Sequence, residues 1–222
     1  PRTIFDDYHE IFRASLKRFI AEEILPHYAD WEKAGIAPRS IWKRAGDQGF
    51  LCTNVPEEYG GMGGDFLHSA LMIEEMARAG CTTPTFYLHS EIISPYLVHH
   101  GSDEQKRTWL PKMASGEVIT ALGMSEPGGG SDVQNIRTSA TRDGDDYVIN
   151  GQKTFITSGF NADLVVLACK TDPNQGARGV SLILVETDRP GFARGRMLEK
   201  IGCKGQDTAE LFFEDLRVPV TN

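Results

Sequence analysis

Two stretches of this 222-residue chain combine residue types at spacings able to hold a cofactor. Gly123-Met124-Ser125-Glu126-Pro127-Gly128-Gly129-Gly130-Ser131-Asp132 sets a polar, glycine-rich turn ahead of Lys153-Thr154-Phe155-Ile156-Thr157, a segment carrying an aromatic and a hydroxyl on one strand face. The glycines let successive backbone N–H groups approach an anion closely, while Ser125, Ser131 and Thr157 supply hydroxyls for ring edges or phosphate oxygens. That combination suits a flavin site. No Gly-Lys-Ser/Thr ends the turn, so it is not a P-loop, and its glycines lack the spacing of a dinucleotide fingerprint. Nicotinamide binding and nucleotide hydrolysis are thereby disfavoured. Taken alone, the glycines would equally make a surface loop, and the rest of the chain has to decide.

Three motifs in order decide it. Met124-Ser125-Glu126-Pro127 with Gly130-Ser131-Asp132, then Asn150-Gly151-Gln152-Lys153 leading into Phe155-Ile156-Thr157, then Phe213-Glu214-Asp215-Leu216-Arg217-Val218-Pro219 resemble the acyl-CoA dehydrogenase family from end to end of the chain. Trp31-Glu32-Lys33-Ala34-Gly35 and Asp207-Thr208-Ala209-Glu210-Leu211-Phe212-Phe213 resemble its long-chain members most.

The resemblance implies FAD as cofactor and α,β-dehydrogenation of an acyl-CoA thioester, with an electron-transfer flavoprotein as acceptor. It implies that backbone around Leu122 and Met124 and the Ser125 hydroxyl bond the pyrimidine side of the flavin. Gly130 and Ser131 would lie near the pyrophosphate, Ser131 also reaching the thioester ligand. Phe155 would cover the ring where the family often has tryptophan, Thr157 would bond near N5, and Ile156 between them counts among the cofactor-binding residues. Ala177 and Arg178 match a region that meets coenzyme A, and Pro84 to Leu88 match a helix along the acyl tail. Ser125 replaces a frequent threonine but keeps the hydroxyl, and Asn135 and Gln206 depart from the usual residues without breaking the site. The family's catalytic glutamate lies in a C-terminal helical bundle, so the base is expected beyond Asn222 and the chain is expected to be a truncated portion, inactive alone. No catalytic residue is assigned within it: Glu126 and Asp132 read as structural hydrogen-bonding groups of the turn, and Glu91 as a residue on a helix. The full-length enzyme would be a homo-oligomer, a tetramer or dimer. An acyl-CoA oxidase of the same fold, or a short non-catalytic protein binding acyl-CoA or a partner, are the alternatives.

Composition agrees. With 40% hydrophobic residues the chain can fill a sizeable core, while a net charge of −8 and a pI near 5.3 disfavour nucleic acid or an anionic membrane as main partner. Cys52, Cys81, Cys169 and Cys203 are far apart, which predicts buried reduced thiols and a reducing compartment; the family resemblance implies the cytoplasm in a bacterium or the mitochondrial matrix in a eukaryote. No apolar run is long enough for a membrane span, the first residues carry no signal-peptide pattern, and the start at Pro1 leaves room for a removed targeting segment. His9, His27, His68 and His89 are scattered and His99-His100 are adjacent, so no metal site is expected.

The elements that would position these residues divide near Gly116, giving an α+β reading: an all-α helical domain over 1–117 and an antiparallel β-barrel or sandwich middle domain over 118–222. Phe5, Tyr8, Phe12, Leu16, Phe19 and Ile20 recur at helical spacing and predict a buried stripe on a helix that stops near Pro26. Further helices are predicted over 40–48 with a glycine cap at Gly49, over 66–79, over 85–99, and from Ser102, whose spacing to Gln105 makes a capping box. Pro111 should bend or end that last helix unless it falls within a break. The loop Gly60-Gly61-Gly63-Gly64 is assigned no chemistry. Beyond Gly116, strands are predicted over 118–122, 147–149, 154–157, 164–168, 180–185 and 210–213, with Asn150-Gly151 as a hairpin turn.

Overall fold

A computed structural model describes residues 3–222. The chain forms two compact units, Pro1–Val118 with Glu199–Gln206, and Ile119–Leu198 with Asp207–Asn222.

The first unit is helical: α1 Asp7–Phe19, α2 Leu25–Ala34, α3 Arg39–Asp47, α4 Phe66–Arg78, α5 Ser94–His100 and α6 Asp103–Ala114. Phe12, Leu16 and Phe19 bury one face of α1 as the spacing predicts, and each contributes on the order of 1.5–3 kcal/mol. Tyr8 does not join them. It is 78% exposed, and the buried position goes to His9, which closes a capping box with Asp6. Pro26 does not stop the helix either. A wide π-helical turn, Ile20–Ile24, precedes it, and α2 begins with Pro26 in its first two positions, where no N–H is needed. The same device recurs in the predicted 85–99 helix, where π-helical Leu88–Ile93 leads into Pro95 at the start of α5.

Gly49 turns with φ +75°, closing α3 as predicted. Ser102 accepts a hydrogen bond from the Gln105 backbone amide while the Gln105 side chain accepts from the Ser102 amide, so the capping box at α6 forms. Pro111 is carried inside α6 without ending it. Three cysteines are buried free thiols, burial pushing Cys52 and Cys169 up to about 12, but Cys203 is exposed. Among the described residues no helix is long and apolar enough to cross a membrane.

The second unit is one seven-stranded sheet: β1 Thr120–Gly123, β2 Ser139–Asp143, β3 Asp146–Thr157, β4 Leu164–Lys170, β5 Val180–Glu186, β6 Phe192–Met197 and β7 Thr208–Pro219. Its order is β1-β4-β2-β3-β7-β6, with β5 also paired to β4. The sheet is mixed rather than antiparallel, because β1 runs parallel to β4, Thr120 opposite Leu164 through Gly123 opposite Leu167. Short apolar strands carry no mark of direction, so their spacing could not reveal this. Asn150-Gly151 is not a hairpin turn. The β2–β3 turn is at Gly144-Asp145, with Gly144 at φ +64°, and β3 runs straight on through Asn150-Gly151. Gly151 is needed for another reason: a Cβ there would lie 2.6–2.8 Å from Thr138, at a register shift against β7. The core of the sheet gathers Ile149, Ile156, Val165, Leu167, Leu211 and Phe213.

Candidate cofactor site

β3 carries the site. Regular alternation would send every second side chain of this strand to one face, but Lys153 and Thr154 are both buried in succession and Phe155 then stands 70% exposed. A register shift between Lys153 and Ile156 marks a bulge against β7, and Phe155 takes φ +58° to complete it. Bulges of this kind re-aim one side chain and are frequent beside functional sites. Ile156 turns into the core at 2% exposure, and Thr157 is half-buried opposite Thr208 of β7.

The glycine-rich turn is fastened to the same stretch of β3. Lys153 is fully buried and its Nζ donates to the Met124 carbonyl at 3.0 Å and to Glu126 Oε1 at 2.8 Å. Glu126 also accepts from the backbone amides of Arg137 at 2.6 Å and Thr138 at 3.0 Å. Thr154 N donates to the Ser125 carbonyl at 2.9 Å, so Ser125 lies beside the residue that precedes Phe155. Glu126 is therefore a structural anchor, as its place in the turn predicts.

Burial alone would raise the Glu126 pKa, but its bonds to Lys153, Thr138 and Arg137 outweigh this and hold the carboxyl at about 2. A carboxyl depressed below its unfolded value stabilises the fold above the usual range near 4.5 and loses that contribution as pH falls toward 2. Urea midpoints of the wild-type protein should therefore fall more steeply between pH 5 and about 2 than those of Glu126→Gln; equal slopes would remove Glu126 from the acid response.

Beyond Glu126 the turn opens to solvent. An added Cβ at Gly128 or Gly130 meets no atom within 4 Å, and at Gly129 only the Asp132 carbonyl at 3.8 Å. Ser131 is exposed, and Asp132 accepts from the Asn135 side chain at 2.5 Å. Leu122 lies in β1, which ends the sheet and, among the described residues, leaves one backbone edge without a strand partner. The 3-10 turn Val133–Asn135 lies beside the 3-10 turn Gly176–Gly179, so the Ser131 loop and the exposed Ala177-Arg178 loop come together. Pro84 and Leu88 belong to the helical unit. Pro84 lines an apolar cavity of about 200 Å³ with Met72, Met76, Phe86 and Tyr87, whereas Leu88 is not part of its lining. Glu91, in the π-helical turn, has its carboxyl pushed up by burial against a weaker opposing bond from Ser69.

These residues fit a flavin. An aromatic ring stands off the sheet with Thr157 two residues on along the strand and Ser125 bonded to the residue before it, and the glycine turn beyond Glu126 offers open backbone for an anionic tail. The Ile156 side chain packs in the core, so a contact of this residue with a ligand would come from its backbone. Asp207 was missed as a supporting residue. Buried at 4% exposure, it accepts from the backbone amides of Phe160 at 2.9 Å and Asn161 at 3.1 Å, and its carbonyl accepts from Ser158 N at 2.8 Å, closing the turn that ends β3 after Thr157. The only sequence signal for it was its place beside Thr208 in a motif read for subfamily.

Comparisons with known proteins place this geometry. Residues 6–117 match the family profile described as acyl-CoA dehydrogenase, N-terminal domain, and residues 121–216 the one described as acyl-CoA dehydrogenase, middle domain. The mitochondrial long-chain specific acyl-CoA dehydrogenase of Sus scrofa is 49% identical over 99% of this chain and 52% of its own length. The crystal structure of an acyl-CoA dehydrogenase from Geobacillus kaustophilus is 52% identical with a TM-score of 0.97, covering 100% of this chain and 59% of that one. That of a Bacillus anthracis acyl-CoA dehydrogenase complexed with FAD is 33% identical with a TM-score of 0.88, covering 99% of this chain and 37% of that one. The chain spans about half the length of the curated relatives it matches.

Proposed function

The chain belongs to the acyl-CoA dehydrogenase family, and from that premise we propose that it serves FAD-dependent α,β-dehydrogenation of a fatty acyl-CoA to the trans-2-enoyl-CoA. The observation that carries the reading is the bulge that presents Phe155 beside a turn locked by Lys153 and Glu126. The flavin, when bound, supplies the acceptor for a hydride, which no amino-acid side chain can provide. The residues of this chain hold and orient it. Phe155 covers a ring face, Ser125 and the backbone of Leu122 and Met124 meet the polar ring edge, and Thr157 bonds near N5. Gly130 and Ser131 present N–H and hydroxyl donors to the pyrophosphate. Arg178, exposed on its loop, is a charged partner for a coenzyme A phosphate, and Pro84 with the apolar cavity around it suits a hydrocarbon tail.

Glu126 is not the base that takes the α proton, since its carboxylate is already engaged by Lys153 and two backbone amides. We assign no base among residues 1–222. In this reading an electron-transfer flavoprotein takes the electrons, the working enzyme is a homo-oligomer, and its compartment is the matrix or the bacterial cytoplasm.

The test is FAD binding, followed by flavin absorbance and fluorescence on titration of the apoprotein. Gly130→Val is the informative variant. An added Cβ at this position meets no protein atom within 4 Å, so the fold should accept it while close approach of a pyrophosphate should not. FAD affinity is expected to fall at least tenfold with thermal stability unchanged. Wild-type affinity in Gly130→Val would remove the phosphate role from the turn.

A further inference from the structure

Asp6 and Asp65 cap the N-termini of α1 and α4, and the third residue of each helix is a histidine, His9 and His68. The fold brings the two caps together across 56 positions of sequence. His9 Nε2 lies 3.0 Å from Asp65 Oδ1 and 3.3 Å from Oδ2, and His68 Nδ1 lies 2.9 Å from the same Oδ1. Two ring nitrogens from different helices thus converge on one carboxylate, with the ligand atoms of all three residues within 4.8 Å of one another. We propose that this junction is a binding site for a divalent transition-metal ion, zinc by chemistry, held by His9 Nε2, His68 Nδ1 and Asp65, with water as the fourth ligand.

Two imidazoles and a carboxylate form a donor set that zinc takes in open, three-protein-ligand sites. Bonds of about 2.0–2.2 Å set tetrahedral donor atoms roughly 3.3–3.5 Å apart, so the two nitrogen-to-Asp65 spacings of 3.0 and 2.9 Å need to open by only a few tenths of an ångström. His9 is oriented for the task. It is 4% exposed, and Asp6 Oδ1 lies 2.6 Å from its far nitrogen, Nδ1. In the capping box this nitrogen also accepts from the Asp6 backbone amide at 3.2 Å; a metal on Nε2 would shift the ring proton to Nδ1, where Asp6 Oδ1 is placed to accept it in exchange for that bond, the outer-shell arrangement that metal-ligating histidines commonly have. The charges also suit a dication, since Asp6 and Asp65 bring two carboxylates to the junction. Asp65 is 57% exposed on its side chain, which gives an ion and its water a way in. The positive ends of two helix dipoles oppose a cation here, so binding is weaker than in a closed four-ligand site. Without an ion the same groups bond one another directly, and the fold does not depend on it. Linear spacing hid this site because each histidine looks isolated in its own helix.

The experiment uses the whole 222-residue chain, dialysed against chelator, with zinc chloride titrated by calorimetry and cobalt(II) substituted to read ligand-field absorption. One ion per chain is expected, with cobalt giving the intense visible bands of a tetrahedral site. His9→Gln and His68→Gln keep a residue that can close the capping box and should each weaken zinc binding at least tenfold. Asp6→Asn should weaken it about ten- to a hundredfold while the stoichiometry stays at one, the signature of an orienting group rather than a ligand. Circular dichroism checks each variant, and if His9→Gln fails to fold, His68→Gln and Asp6→Asn decide. Absence of saturable zinc binding, or zinc binding that these substitutions leave unchanged, overturns the proposal.

Discussion

Lys153→Met is expected to lower the stability of the sheet unit by about 3–5 kcal/mol, the range for removing one partner of a buried ion pair. Methionine fills much of the volume of the lysine stem, so the loss reports charge and hydrogen bonding rather than a cavity. What remains is a Glu126 carboxylate at 7% side-chain exposure that has lost its only cationic partner among the described residues. The Met124 carbonyl also loses its donor. Both groups lie in the turn proposed to hold the cofactor, so on that proposal FAD affinity should fall with stability, unlike in Gly130→Val. The double variant Lys153→Met, Glu126→Leu separates the two contributions. It removes the orphaned charge and should recover part of the stability. It cannot recover all of it, because the amides of Arg137 and Thr138 then lack their acceptor. Urea unfolding monitored by tryptophan-independent circular dichroism gives the numbers, and a single-variant loss below about 1 kcal/mol would mean that the pair is hydrated and does not hold the turn.

The parts of this site that could be read in the sequence are those set by local chemistry. Glycine at the end of α3, the Ser102 to Gln105 box and the hydrogen-bonding role of Glu126 each depend on residues close by in the chain or on a turn that limits the choices. What escaped depends on partners far away. Asn150-Gly151 satisfies a hairpin rule, yet Thr138 lies against Gly151 and β7 pairs across it, so tertiary packing overrides the dipeptide. The bulge at Phe155 leaves no trace in alternation, because it breaks alternation. The family resemblance pointed to Phe155 as a ring-covering residue, but only the register against β7 explains how its ring leaves the core side of the sheet. Pro26 misleads for a related reason: a proline ends an ideal α-helix, but a π-helical turn just before it lets the chain continue. His9 falls outside an apolar stripe because its burial rests on two aspartates, one of them 56 positions away.

Asp207→Ala should have the second largest effect, about 2–6 kcal/mol, from leaving the amides of Phe160 and Asn161 without their acceptor at about 1–3 kcal/mol each. The position is discriminating because both amides bond a single oxygen, Oδ2. Asparagine with its carbonyl oxygen in that place keeps both of these bonds and loses the charge that strengthens them. Asp207→Asn is therefore expected to cost about 1 kcal/mol, well below Asp207→Ala. The structural consequence is local. Ser158, at φ +61°, is held in its turn by the Asp207 carbonyl, and the turn fixes the end of β3 where Thr157 faces Thr208. In Asp207→Ala, amide exchange at Phe160 and Asn161 should accelerate before the rest of the sheet does. Loss of the Thr157 position should then show as faster FAD release, with Asp207→Asn releasing FAD close to the wild-type rate. If alanine and asparagine behave alike in both exchange and FAD release, the turn is held by its backbone alone, and Asp207 is not what sets Thr157 against the flavin.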